Sequence, residues 1–113
     1  MNNIRNKVQL IGNLGNNPEV TAFGEGKKRV KFHIATHEYY RNNKGEKVVE
    51  TYWHTVVAWG KTGEIAEKHF SKGSEVVIEG KLISRSFKGR DGINRTVTEI
   101  QALDLMMLAK KAS

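Results

Sequence analysis

Residues 51–61, TYWHTVVAWGK, hold both tryptophans of the chain, six positions apart in a stretch rich in β-branched residues. Side chains on a strand alternate between faces, so Thr51, Trp53, Thr55, Val57 and Trp59 share one side. Tyr52, His54, Val56 and Ala58 take the other. Each side thus carries an aromatic and several apolar groups, where a simple core strand would be apolar on one side only. Flat rings outside a core suit one chemistry in particular. They cover the π-faces of unstacked bases, while neighbouring cations follow a phosphate backbone without reading sequence. Tyr40 beside Arg41, Trp59 close to Lys61 and Phe87 close to Arg85 repeat that pairing of ring and cation. The opposing reading is that these rings are core. It suits Phe32 and Phe70, on clean apolar faces, better than Trp53 and Trp59, which share a face with Thr51 and Thr55.

Charge points the same way without deciding it. The 113 residues carry 19 Lys and Arg against 12 Asp and Glu, a net charge of +7. Such an excess favours a polyanionic partner, because each neutralised phosphate releases a condensed counterion. A merely soluble basic surface is the alternative on charge alone. The cations are spread along the chain, so any patch must be assembled by folding.

Signals for catalysis or cofactors fail in detail. GKT at 60–62 ends like a phosphate-binding loop, but Thr55 stands where that motif needs its first glycine. GEG at 24–26 would need a glycine at position 29 to begin a dinucleotide fingerprint, and Arg29 is there. Four histidines (His33, His37, His54 and His69) come without cysteine, and only the first two are close in sequence. Acidic residues are dispersed rather than clustered for a metal. The expectation is a binding protein with no enzyme activity, cofactor or metal.

The elements that must position these groups are mostly strands. NKVQLIGNLG (6–15) alternates Val8, Leu10, Gly12 and Leu14 against Lys7, Gln9, Ile11 and Asn13, and its glycines suggest a bend or bulge. NNPEV and GEGKK are turn chemistry. RVKFHIAT (29–36), the long strand containing 51–59, SEVVIEGKLISRSF (74–87) and RTVTEIQALDLMML (95–108) complete five strands. KTGEIAEKHFSKG (61–73) breaks the period of two. It predicts a helix capped by Thr62, ended by Gly73, with Ile65, Ala66, His69 and Phe70 on one face.

The fold expected is all-β: a five-stranded Greek-key barrel of the OB type with one short helix between the third and fourth strands. An SH3-like barrel or an open sheet fits the period nearly as well, and the single helix favours the OB arrangement. One domain over residues 1–108, with a short basic end at 109–113, accounts for the length. No leader pattern or apolar span is visible and cysteine is absent, which is the pattern of a cytoplasmic protein.

NKVQLIGNLGNNPEV, VKFHIAT, WHTVVAWGKTGEIAEKHFSKGSEVVIEGKL and SRSF, in that order and spacing, closely resemble the bacterial single-stranded DNA-binding protein family over roughly residues 3–108. The resemblance implies an OB fold, a homotetramer, and sequence-independent binding of single-stranded DNA during replication, recombination and repair. It places the stacking rings at Tyr40, Trp53, Trp59 and Phe87. Tyr40 and Phe87 stand where relatives often carry tryptophan, and Trp59 where they often carry phenylalanine. Lys7, Lys61, Lys72 and Arg85 match basic positions along the DNA path, with Arg41 a weaker match. His54 matches a histidine at the subunit interface; a satisfied core histidine is the alternative. The family usually continues into a disordered linker and an acidic tip that recruits repair enzymes. Here the sequence given ends LDLMMLAKKAS, which leaves recruitment by that route in doubt. A primosomal accessory barrel or an RNA-binding barrel would keep the basic surface without needing all four rings.

Overall fold

The computed structural model describes residues 5–109; of the expected basic end at 109–113, residues 110–113 lie outside the described residues. The elements run β1 (Val8–Leu14), β2 (Glu19–Ala22), β3 (Lys28–Arg41), β4 (Lys47–Trp59), α1 (Gly60–His69), β5 (Glu75–Lys88) and β6 (Asn94–Ala109). The sheet order is β1-β5-β6-β4-β3-β2, and a second pairing of β1 with β3 closes the first five of these strands into a barrel. The five expected strands are all present, with the helix between the third and fourth of them. β2 is an addition. It lies where NNPEV reads as a turn, follows Pro18, and is exposed along its whole length, so no buried alternation marks it.

Closure uses very short seams. β1 pairs with β3 only at Asn13↔Ala35 and Leu14↔Ile34, and β4 meets β6 in parallel at Val56↔Ile100 and Val57↔Gln101. Inside the barrel, Val30, Phe32 and Ile34 of β3, Val56 and Ala58 of β4, and Val76 and Ile78 of β5 are completely buried. Each large side chain so placed contributes about 1.5–3 kcal/mol relative to exposure. Phe32 meets Phe70 edge to face, ring centroids 5.8 Å apart, which confirms both as core.

The helix is shorter than its pattern suggests, and its ends differ. It starts at Gly60, directly after the strand, with Trp59 as N-cap residue and no side-chain cap. Gly60 makes that abrupt turn with φ of 60°. Thr62 therefore sits inside the first turn and cannot cap it. The helix ends at His69, where Phe70 leaves in an extended conformation while its N–H still donates to the Ala66 carbonyl. Gly73 serves instead the turn in which the Ser74 N–H donates to the Ser71 carbonyl. Only Ala66 and Phe70 of the four expected face residues are buried; Ile65 and His69 are exposed.

Two glycines permit the corners. A Cβ on Gly12 would lie 2.3 Å from the Ala35 carbonyl oxygen, and one on Gly80 would lie 2.0 Å from that of Gln101, at a bulge in the β5–β6 ladder. Backbone cannot yield as a side-chain tip can. Gly80→Ala is expected to destabilise the fold by about 1–3 kcal/mol, as overpacking does. Gly45→Ala in the β3–β4 turn meets no neighbour and costs only the strain of its φ of 79°, so denaturant melts of the two variants separate crowding from backbone strain.

Candidate nucleic-acid interface

The β3–β4 ladder sets which side chains share a face. Arg29↔Trp59, Lys31↔Val57, His33↔Thr55 and Ala35↔Trp53 point away from the core, opposite Val30, Phe32, Ile34, Val56 and Ala58. Trp53 and Trp59 therefore stand outside, at 62% and 42% exposure, roughly 20 Å apart along the strand. Val57, between them, is nevertheless buried, flanked by Lys31 and Gln101 on the neighbouring strands.

Trp53 is exposed but placed. A Cβ on Gly15 would lie 2.4 Å from the indole edge, so only glycine lets the ring lie on the β1–β2 loop. That loop is itself pinned. The Gly15 N–H donates to the His33 carbonyl (2.9 Å), the His33 N–H to Asn16 Oδ1 (2.9 Å), and the Lys72 N–H to Asn17 Oδ1 (2.8 Å). Lys72 is thus held beside the loop under Trp53, its side chain exposed.

A groove of about 490 Å³ continues this face across to β5 and β6, lined by Lys31, Thr55, Arg85, Phe87, Val97 and Glu99 among others. Phe87 is exposed, with the Arg85 guanidinium 5.8 Å from its ring centre. Arg85 also holds the buried Glu99 carboxylate through Nε (3.1 Å) and the second guanidinium nitrogen (3.4 Å). Hydrogen bonding to Glu99 raises the Arg85 pKa further above its ordinary value. The cation is thereby fixed against the ring, and part of its charge is neutralised within the groove.

The other expected cations differ in how free they are. Lys7 pairs with Glu79 at 3.7 Å. Arg41 donates to the Gly45 carbonyl at the hairpin tip. Lys61 lies in the first turn of α1, which has no acidic residue. A cation there opposes the helix dipole.

Tyr40 stands apart from the other rings. It pairs with Val48 on the ladder face opposite Trp53, and its hydroxyl donates to Glu50 Oε1 (2.8 Å), while Glu50 Oε2 accepts from the Tyr52 hydroxyl. Glu38 lies directly across from Glu50. Sequence reasoning passed over two exposed rings on the tryptophan side of the ladder. Tyr39 has the Lys47 ammonium 5.4 Å from its ring centre, and Phe23 packs against Trp59. The ladder register places Tyr39, not Tyr40, on the face of Trp53.

Each histidine on the ladder bonds a threonine across it: His33 with Thr55, His37 with Thr51 and His54 with Thr36. Among the described residues no three His, Asp or Glu side chains gather as a metal site. His54 lines a separate groove of about 440 Å³ with Leu10 and Ile11 of β1 and Thr36, Glu38 and Tyr52 of the hairpin. No helix among the described residues is long and apolar enough to cross a membrane.

A closed barrel with exposed rings and cations on one outer face is an OB-fold barrel of the nucleic-acid-binding type. Residues 5–108 match the single-strand binding protein family, and the chain belongs to it. It is 41% identical over 109 residues to single-stranded DNA-binding protein 1 of Chlorobaculum tepidum, covering 96% of this chain and 67% of that one. It is 41% identical over 103 residues to the single-stranded DNA-binding protein of Neisseria meningitidis serogroup A, covering 91% of this chain and 59% of the relative. The chain thus spans about three-fifths to two-thirds of the length of these relatives. The Plasmodium falciparum SSB in complex with ssDNA superposes with a TM-score of 0.82 at 30% identity, over 91% of this chain and 94% of that one.

The tyrosine–carboxylate contact on the hairpin has a signed pH dependence. Hydrogen bonds from Tyr52 and then Tyr40 hold Glu50 below its ordinary value of 4.5. A depressed folded-state pKa gives stability that is full above the unfolded value and is lost as pH falls through the folded one. The melting-temperature difference between the parent and Glu50→Gln should therefore shrink as pH is lowered from 7 to below 4. A difference constant over that range would show that the contact carries no linkage.

Proposed function

We propose that this chain binds single-stranded DNA without sequence preference, stacking bases on exposed rings and following the phosphates with the adjoining cations. The observation that carries the reading is Trp53. A ring of that size, turned away from a complete core and seated on a glycine, has no packing role that would explain its exposure. Trp59 and Phe87 extend the platform, and Tyr40 reaches the strand from the far side of the hairpin. Lys61, Lys72 and Arg85 act on the backbone near these rings, with Lys7 and Arg41 contributing at the margins. Family membership supports the reading, as does the Plasmodium falciparum SSB complex with ssDNA as a structural neighbour. The service is protection of single strands in replication, recombination and repair, in the bacterial cytoplasm and without catalysis.

The same reading includes a homotetramer. Two adjoining surfaces that share Ile11 suit it: the groove holding His54, and an apolar stripe formed by Ile11, Val77 and Met106 on the adjacent strands β1, β5 and β6. Ile11 and Met106 are more than half exposed. A closed assembly with two kinds of two-fold interface covers both.

Stacking gives the decisive test. Single-stranded oligothymidylate should quench tryptophan emission strongly, and Trp53→Ala should weaken binding by about 1–3 kcal/mol while the melting temperature barely moves. Unchanged affinity in both Trp53→Ala and Trp59→Ala would dismiss this face. Assembly is tested separately by light scattering at micromolar concentration, where about four chains per particle are expected. A monomer that still binds tightly would remove the interface assigned to His54.

A further inference from the structure

The β2 arm of the β2–β3 hairpin adds almost nothing to the core, since all four of its residues are exposed. Its turn is nonetheless tightly made. The Phe23 N–H donates to the Lys27 carbonyl and the Lys27 N–H to the Gly24 carbonyl, both at 2.9 Å. Gly24, Glu25 and Gly26 all adopt positive φ, at 79°, 52° and 76°. For Glu25 that conformation is strained, and strain of this kind persists only where surrounding contacts enforce it. What the turn holds in place is an aromatic. The Phe23 ring is 53% exposed, and its centroid lies 5.6 Å from that of Trp59 with the planes 36° apart.

Arg29 completes the group. It is the direct ladder partner of Trp59, and its guanidinium carbon lies 5.5 Å from the Phe23 ring centre. Its Nε is shielded from solvent and has no hydrogen-bond partner among the described residues. No carboxylate pairs with it there either; the ion pairs are made by Lys7, Lys28, Arg85 and Arg95. With Nε unpaired and no carboxylate partner, the guanidinium is uncommitted to the fold and its charge is available to an incoming anion. A flat exposed ring beside an uncommitted planar cation matches the two halves of a nucleotide, base and phosphate.

We propose that Phe23 and Arg29 form, with Trp59, a further nucleotide subsite that extends the single-stranded path onto the β2–β3 turn. Phe23 stacks a base and Arg29 pairs the adjoining phosphate. The inference rests on the DNA-binding reading above and deepens it.

The test is anisotropy of a labelled oligothymidylate titrated with the full chain across a salt series. Phe23→Leu keeps an apolar contact with Trp59 but offers no flat ring, and should weaken binding about 5–150-fold, the range for loss of one stacked base. Phe23→Tyr, which keeps the plane, should bind like the parent; a merely structural role would not require that rescue. Arg29→Gln should make the slope of log affinity against log salt shallower by about 0.7, one phosphate on a single strand. Melting curves should show all three variants folded. If Phe23→Leu and Arg29→Gln both match the parent while Trp53→Ala loses affinity, the subsite is overturned and the wider reading stands. If the parent itself fails to bind, both fall together.

Discussion

Closure of this barrel rests on places where one backbone meets another with no side chain between them. At Gly12 the first strand passes so close to the Ala35 carbonyl that a methyl group could not enter, and at Gly80 the fifth passes as close to Gln101. The first contact lets β1 leave β5 and pair with β3; the second lets β5 bend through a bulge and curve around the core. With those corners fixed, the two-residue seam between β4 and β6 is enough to complete the circle. The outer face of β4 then becomes the wall of a groove, with Trp53, Thr55 and Trp59 turned outward because Val56 and Ala58 are turned in. Change the closure and the parity argument that exposes the rings no longer applies.

Charge on this surface is restrained as well as supplied. Arg85 holds Glu99, Lys7 meets Glu79 and Lys28 meets Glu67, so a net charge of +7 is not offered wholesale to a polyanion. Exposed pairs of this sort contribute about 0–1 kcal/mol to stability. Glu99 is different because its carboxylate is buried and needs the Arg85 fork as its partner. The arrangement holds a planar guanidinium 5.8 Å from the Phe87 ring centre while it grips a carboxylate, which a lysine lacks the fork to do. Positioning is gained in exchange for some field strength.

Much of this was legible in the sequence because strands advertise themselves by a period of two. All five barrel strands and both faces of β4 follow from that signal, as does Phe32 in the core, while the helical period of residues 61–73 marks Phe70. The failures have physical reasons. β2 is exposed throughout, so burial imposes no alternation on it. The helix start was misplaced because Gly60 turns the chain straight from strand to helix, leaving Thr62 no capping position. Tyr39 and Phe23 were missed because neither belongs to the resemblance, although Phe23 opens a glycine-rich turn just before the basic run Lys27, Lys28, Arg29. Tyr40 was placed by resemblance, and only the ladder register reveals that it lies on the carboxylate side of the hairpin.

That register gives the β3–β4 hairpin two chemically different sides beyond the barrel. One continues the tryptophan face through His37 and Thr51 to Tyr39, Arg41 and Lys47. The other carries Tyr40 and Tyr52 bound to Glu50, with Glu38 opposite. A polyanion passing along the arm meets cations on the first side and carboxylates on the second. Coulomb repulsion between exposed groups is weak beyond a Debye length of about 8 Å at physiological salt, yet within contact distance it decides orientation more than affinity. The hairpin therefore presents cations along one side and carboxylates along the other without adding to the stability of the core. Fold and recognition are separable here: Val, Ile and Phe32 hold the barrel from within, while the larger rings stand outside on a frame that does not need them.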